Sequence, residues 1–341
     1  MRVGAFVLAA QFPGQGQGES LHRALRSAEV AEECGLDSVW LAEHHFVPYG
    51  VCPSAVTLAA LVLGRTSRIR VGTAVSVLPS AHPVALGEQA ALLHIASGGR
   101  FSLGVGRGGP WVDLEVFGAG LEAYESGFPE SLDLLLRWLR EPRVSAEGER
   151  FAFREVSVVP RAGEVLGPGA DAEGPEVVVA CTSPKSVKLA AERGLPMLLG
   201  MHSNDEEKAQ MVALWRRVAR EAGHCPDGAH VSAGVAQIAD RPAEAAETLL
   251  KAMPGWLKQG LDAHVTVDGR HRAMRDPVAY TEMLCGLHPV GTPALAADRI
   301  AATAEKTGIT RFALLVEGSG DVAATEENVR RLGAEVLPLI G

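Results

Sequence analysis

Apolar residues along this chain fall into short continuous runs that alternate with longer stretches of helical spacing. VGAFVLA (3–9) predicts a buried strand, and the QFPGQGQG after it predicts a loop rather than the cleavage region of a leader. SLHRALRSAEVAEECG (20–35) predicts a helix, with Ser20 as its start signal and Gly35 as its stop. The alternation continues with strand DSVWLA (37–42), helix SAVTLAALVLGRT (54–66), strand RIRVGTAVSV (68–77), helix PVALGEQAALLHIAS (83–97) and strand RFSLGVG (100–106). It resumes with strand EVVVA (176–180), helix SPKSVKLAAERG (183–194), strand PMLLG (196–200) and helix DEEKAQMVALWRRVAREAG (205–223). Strand HVSAGVAQIA (230–239), a long helical region, strand RFALLVE (311–317) and a helix over 321–335 complete the series. Eight strands alternating with helices predict a parallel sheet with helical crossovers, and over this length a closed (β/α)8 TIM barrel.

Two stretches break the rhythm. Residues 141–175 carry short alternating strands and a Gly/Pro-rich loop, which predicts a hairpin insertion. Residues 255–292 are polar with no clear period at a place where insertions cover active sites, so a lid is expected there. No linker composition interrupts the chain, and a single domain over 1–341 is expected.

Composition narrows the function classes. A net charge of −9 argues against nucleic acid as the general partner, and no apolar run reaches membrane-spanning length. Five widely spaced cysteines without a C-x-x-C pair suit reduced thiols in a cytoplasmic protein.

Three segments carry candidate chemistry. WLAEHHF (40–46) sets Glu43, His44 and His45 directly after the second strand, at the rim where barrels do their chemistry. Neighbouring residues on an extended chain point to opposite faces, so a shared metal is disfavoured and no metal is expected. Acid–base chemistry is the functional reading, beside imidazoles that simply secure a strand end. GVGRGG (104–109) formally satisfies G-x-G-x-x-G. It follows the fourth strand, however, and Pro110–Trp111 is an awkward helix opening, so its glycines are read as room for a flat ligand, with Arg107 as a phosphate partner. TSPKS (182–186) can cap a helix with Thr182 or Ser183, and a helix start is also an anion site.

Nearly end to end, the chain resembles the luciferase-like flavin monooxygenases, in particular the α subunit of bacterial luciferase. The likeness is carried by WLAEHHF, RIRVGTAVSVLPSAHPV, GRFSLGVGRG with VFG (116–118), VVVA and AAERGLPMLL (177–199), and HPVGTP (288–293). It implies that reduced FMN, delivered by a separate NAD(P)H:flavin reductase, reacts with O2 at the barrel mouth to give a C4a-hydroperoxide. That species would oxidise a small organic substrate such as an aldehyde, ketone or aromatic natural product, by hydroxylation, epoxidation or Baeyer–Villiger insertion. The resemblance gives His44 proton transfer, and gives His45 and Glu43 a part in shaping the flavin pocket. It places Ala74 beneath the isoalloxazine with a cis Ala74–Val75 bond, and Arg107, with Thr182, Ser183 and Ser186, around the phosphate. Two departures stand out: Gly106 replaces a reactive cysteine, and Glu125 falls where a second phosphate arginine is expected. Hydride transfer with the deazaflavin F420, and a non-catalytic luciferase β-like subunit, are the alternatives on the same fold. Apolar, Ala/Leu-rich helices at 54–66 and 83–97 suit a homodimer.

Overall fold

The computed structural model describes residues 1–164, 174–270 and 275–341. The eight expected strands are β1 (Arg2–Val7), β2 (Ser38–Leu41), β3 (Arg70–Thr73), β4 (Phe101–Gly106), β5 (Val177–Cys181), β6 (Met197–Leu199), β7 (Val231–Val235) and β8 (Arg311–Leu315). All pair in parallel, in the order β3-β2-β1-β8-β7-β6-β5-β4, and a β3–β4 pairing closes the ring into a (β/α)8 barrel.

Both faces of each strand are buried, which is why the strands read as continuous apolar runs rather than alternating ones. In β1, Val3, Ala5 and Val7 pack outward in the layer shared with the helices, while Phe6 packs inward with Trp40, Leu198 and Leu315. The Trp40 indole fills the lower interior against Gly72, where an added Cβ would stand 2.5 Å from the ring.

The main helices on the outside are α1 (Gln17–Glu33), α2 (Ala55–Arg65), α3 (Pro83–Ala96), α4 (Phe128–Arg140), α5 (Pro184–Ala191), α6 (Asp205–Glu221), α7 (Pro242–Asp262), α8 (Pro277–Leu287), α9 (Pro293–Thr307) and α10 (Val322–Arg331). Three sequence expectations need correction. Helix α1 starts four residues' worth of chain before its expected signal: Gly16 is the cap and Ser20 is buried inside the helix. The expected strand over 68–77 is two pieces, because the chain turns at Ala74–Val75 before Ser76–Val77 rejoins β4. The described part of 255–292 is largely ordered by helices, the end of α7 and all of α8. Its apolar anchors, Trp256, Leu257 and Leu284, are too sparse in the sequence to show a period.

The 141–175 insertion begins with an antiparallel hairpin, Arg143–Glu147 with Ala152–Ser157. Its Val144, Phe151 and Phe153 pack with Trp138 of α4 in a small satellite core. Residues 165–173 of that insertion, and 271–274 of the expected lid, lie outside the described residues. Among the described residues no helix is long and apolar enough to cross a membrane.

Candidate active site

The C-terminal ends of the strands open into a cavity of about 720 Å³, mainly apolar, that contains Glu43, His44 and His45 in its wall. Glu43 is a strut as much as a lining group. One carboxylate oxygen accepts the Ala55 N–H at 2.9 Å and the other the Val77 N–H at 3.0 Å, so it joins the start of α2 to the segment after β3. A carboxylate suits that place because the first N–H groups of a helix lack partners within it and carry partial positive charge. His45 holds Nε2 3.5 Å from Glu43 Oε1 and packs edge-on against Phe117, with ring centres 5.0 Å apart.

His44 is fixed by its backbone N–H to Cys52 O at 2.9 Å and by an edge-to-face contact with Tyr49, 5.0 Å between centres. Gly50 makes room for it, since a Cβ there would lie 2.7 Å from His44 Nδ1. Burial, with His264 and His45 close by, pushes the His44 imidazole down to about 3, so it is neutral at physiological pH. Among the described residues its Nδ1 is buried without a hydrogen-bond partner. An orphaned lone pair costs less than an orphaned N–H, which puts the ring proton on Nε2.

The Ala74–Val75 peptide is cis, as the resemblance implies, and both residues line the cavity. The three glycines of the formal fingerprint, Gly104, Gly106 and Gly109, turn out to be packing sites: added Cβ atoms would meet Thr73 O at 1.9 Å, Val75 Cγ2 at 2.4 Å and Trp111 Nε1 at 2.1 Å. No long helix follows them, only the one-turn Asp113–Val116 segment, which removes the dinucleotide fingerprint reading. Gly106 therefore stands where Val75 has taken the side-chain space.

Arg107 and Thr182 emerge from adjacent strand ends, because Val105 of β4 is in register with Val179 of β5. Thr182 lines the cavity, whereas Arg107 is exposed, its guanidinium 4.2 Å from the centre of the Tyr124 ring. Ser183 and Ser186 form a reciprocal capping box at the start of α5. The Ser186 hydroxyl donates to Ser183 O at 2.9 Å and accepts the Thr182 and Ser183 N–H groups at 3.2 Å, so the hydroxyls organise the loop. Glu125 ends the Gly120–Glu125 segment and is exposed, next to the tyrosine that carries Arg107.

The sequence did not single out Tyr49, Trp111, His202, His264 and Tyr280, which also face the cavity. They come from separate loops and helices, and only the polar run HVTVDGRHRAMRDP within 255–292 hinted that functional groups lay there. Trp111 and His264 meet because two loops pair across the mouth. Val112 N–H donates to Val265 O and Val267 N–H to Pro110 O, each at 2.9 Å, around an antiparallel Trp111–Thr266 bridge.

Comparison with known proteins identifies the family and the fold. The model of the luciferase-like monooxygenase family matches residues 1–311. An alkanal monooxygenase α chain from Photorhabdus luminescens is 30% identical over 358 residues, covering 100% of this chain and 98% of that one. A monooxygenase from Streptomyces bottropensis superposes with a TM-score of 0.85 at 23% identity, covering 100% of both chains. The oxygenating constituent of 3,6-diketocamphane monooxygenase from Pseudomonas putida, solved in complex with FMN, gives 0.78 at 23% identity, covering 100% of this chain and 99% of that one. The chain belongs to the luciferase-like monooxygenase family.

Proposed function

We propose that this member of the luciferase-like monooxygenases is the oxygenating component of a two-component system. It takes FMN already reduced by a separate NAD(P)H:flavin reductase and uses O2 to oxidise a small organic molecule. The observation that carries this reading is a neutral His44 inside the cavity at the barrel rim, in a chain alike from end to end to an alkanal monooxygenase α chain. Reduced FMN supplies the oxygen activation when bound.

The chain's own residues fit such a group. Ala74, Val75 and Gly108 give a smooth, mainly apolar flank for a flat ring, and Arg107 with Thr182 offers a cation and a hydroxyl at adjacent strand ends for a phosphate. Ser183 and Ser186 shape that loop through their cap, and Gly106 leaves its side-chain space to Val75. Glu43 and His45 hold the pocket wall. His44 presents Nε2–H to the cavity and moves a proton there. The stretch 255–292, paired through Val265 and Val267 to the loop after β4, acts as the lid that keeps water out. We assign the whole chain to one barrel domain. Leu61 on α2 and Leu92 on α3 are 51% and 57% exposed, which supports a homodimer through these helices.

Anaerobic titration with reduced FMN, followed by mixing with O2 and a panel of organic acceptors, tests the reading. Product formation should consume one O2 per reduced flavin, and His44→Ala should lower it by about 10²–10⁴-fold while reduced FMN still binds. Turnover with reduced F420 and no oxygen uptake would replace this reading by hydride transfer, and undiminished turnover in His44→Ala would remove the role of His44.

A further inference from the structure

The same cavity also carries a wall built from rings. His264 sits 4.7 Å, centre to centre, from the Trp111 indole and 6.2 Å from Tyr49. Tyr49 in turn is stacked on Trp256, at 4.8 Å with planes 13° apart, and Trp256 Nε1–H donates to Tyr49 O at 3.0 Å. The wall is held by backbone pairing between its two loops and by Gly109, against which the indole lies without space for a Cβ. Rigid flat rings favour flat partners, since aromatic pairs gain beyond the area they bury.

The polar character of this wall follows from one hydrogen bond. His264 Nδ1 lies 2.9 Å from Gly260 O. A carbonyl oxygen only accepts, so Nδ1 carries the proton. Burial lowers the His264 pKa and favours the neutral ring, and its Nε2 is then a bare acceptor. Among the described residues Nε2 has no hydrogen-bond donor, and it is not among the buried unpartnered atoms, so it is open to the cavity that His264 lines. His44 has the opposite polarity, with its proton on Nε2. The cavity thus offers one acceptor on the ring wall and one donor at the end of β2.

We propose that the Trp111–His264 wall is the substrate subsite, and that it takes a flat aromatic molecule whose hydroxyl donates to His264 Nε2 while its ring packs on the indole. The inference rests on the monooxygenase reading for calling that molecule the substrate. An aliphatic aldehyde has neither the flat face nor the O–H that this wall matches.

The test uses the full chain, and three probes: 1-naphthol, 1-methoxynaphthalene and decanal. Calorimetric titration should show 1-naphthol binding about fivefold more tightly than its methyl ether, the worth of one buried hydrogen bond. His264→Phe, which keeps a ring and loses the acceptor, should bring that preference below twofold, and Trp111→Leu should weaken both naphthalenes about fivefold. The comparison of the two naphthalenes in the wild-type protein needs no variant, so a misfolded His264→Phe would leave the inference exposed to refutation. Equal binding of the pair, tighter binding of decanal, or displacement of 1-naphthol by saturating reduced FMN would each overturn it. Reduced FMN is titrated separately in the same preparations. Failure of FMN to bind with the naphthol pattern intact sinks the flavin reading and leaves the subsite, and the reverse result sinks the subsite alone.

Discussion

Val75 and Gly106 make the sharpest stability prediction. A Cβ at position 106 would stand 2.4 Å from Val75 Cγ2 and 3.5 Å from both Val75 Cβ and Ala180 Cβ. Carbon atoms rest at about 3.5–4.0 Å, so the first contact is short by more than 1 Å and the other two are tolerable. Val75 cannot easily turn away: its side chain is β-branched, and the next two residues are tied to β4 and, through Val77 N–H, to Glu43. Gly106→Ala should therefore cost about 2 kcal/mol, in the range for overpacking. Val75→Ala removes two methyl groups from a half-buried, cavity-facing position and should cost about 1 kcal/mol. If one side chain occupies the space the other needs, the double variant is more stable than the sum of the singles by about 1–2 kcal/mol. Urea denaturation of the wild type, both singles and the double measures this directly. A coupling below about 0.5 kcal/mol, within ordinary additivity, would refute the idea that the valine explains the missing cysteine.

The remaining predictions concern the strut, the buried imidazoles and the dimer. Glu43→Ala leaves the Ala55 and Val77 N–H groups without their acceptor and should cost about 3 kcal/mol, while Glu43→Gln, which retains one carbonyl oxygen, should cost about half as much; equal losses in the two variants would contradict the strut. His230 and His288 are pushed by burial from 6.5 down to about 4, and His230 Nδ1 accepts the Met197 N–H, a bond that protonation would abolish. Below 6.5 the unfolded chain takes up protons that the folded protein does not, so stability is complete above that pH and declines as pH falls toward 4. The slope should be about 1.4 kcal/mol per pH unit for each histidine, and His230→Gln should reduce it by one histidine's share in urea unfolding series; a flat profile between neutral pH and pH 5 would contradict the two buried neutral rings. Replacing Leu61 and Leu92 together by glutamate should give a monomer in sedimentation velocity, and a wild-type monomer at tens of micromolar would remove the proposed dimer face.

The order of strands and helices was legible in the sequence because a parallel barrel buries both faces of every strand, leaving runs that need no tertiary context to be seen. The rim position of Glu43, His44 and His45 was legible for the same reason, since the end of an apolar run marks the end of its strand. Their distinct roles were not. That Glu43 braces two backbone N–H groups, or that His44 is neutral with its proton on Nε2, depends on burial and on partners from α2, Gly50 and the loop after β3. Val75 and Gly106 are far apart in the chain, and only the β4 pairing turns a missing cysteine into a filled space. Trp111 and His264 carry no mutual spacing signal at all. Their contact arises from backbone hydrogen bonds between two loops, and such bonds are blind to side-chain type, so the partner and the polarity that each ring turns toward the cavity were decided only by the tertiary structure.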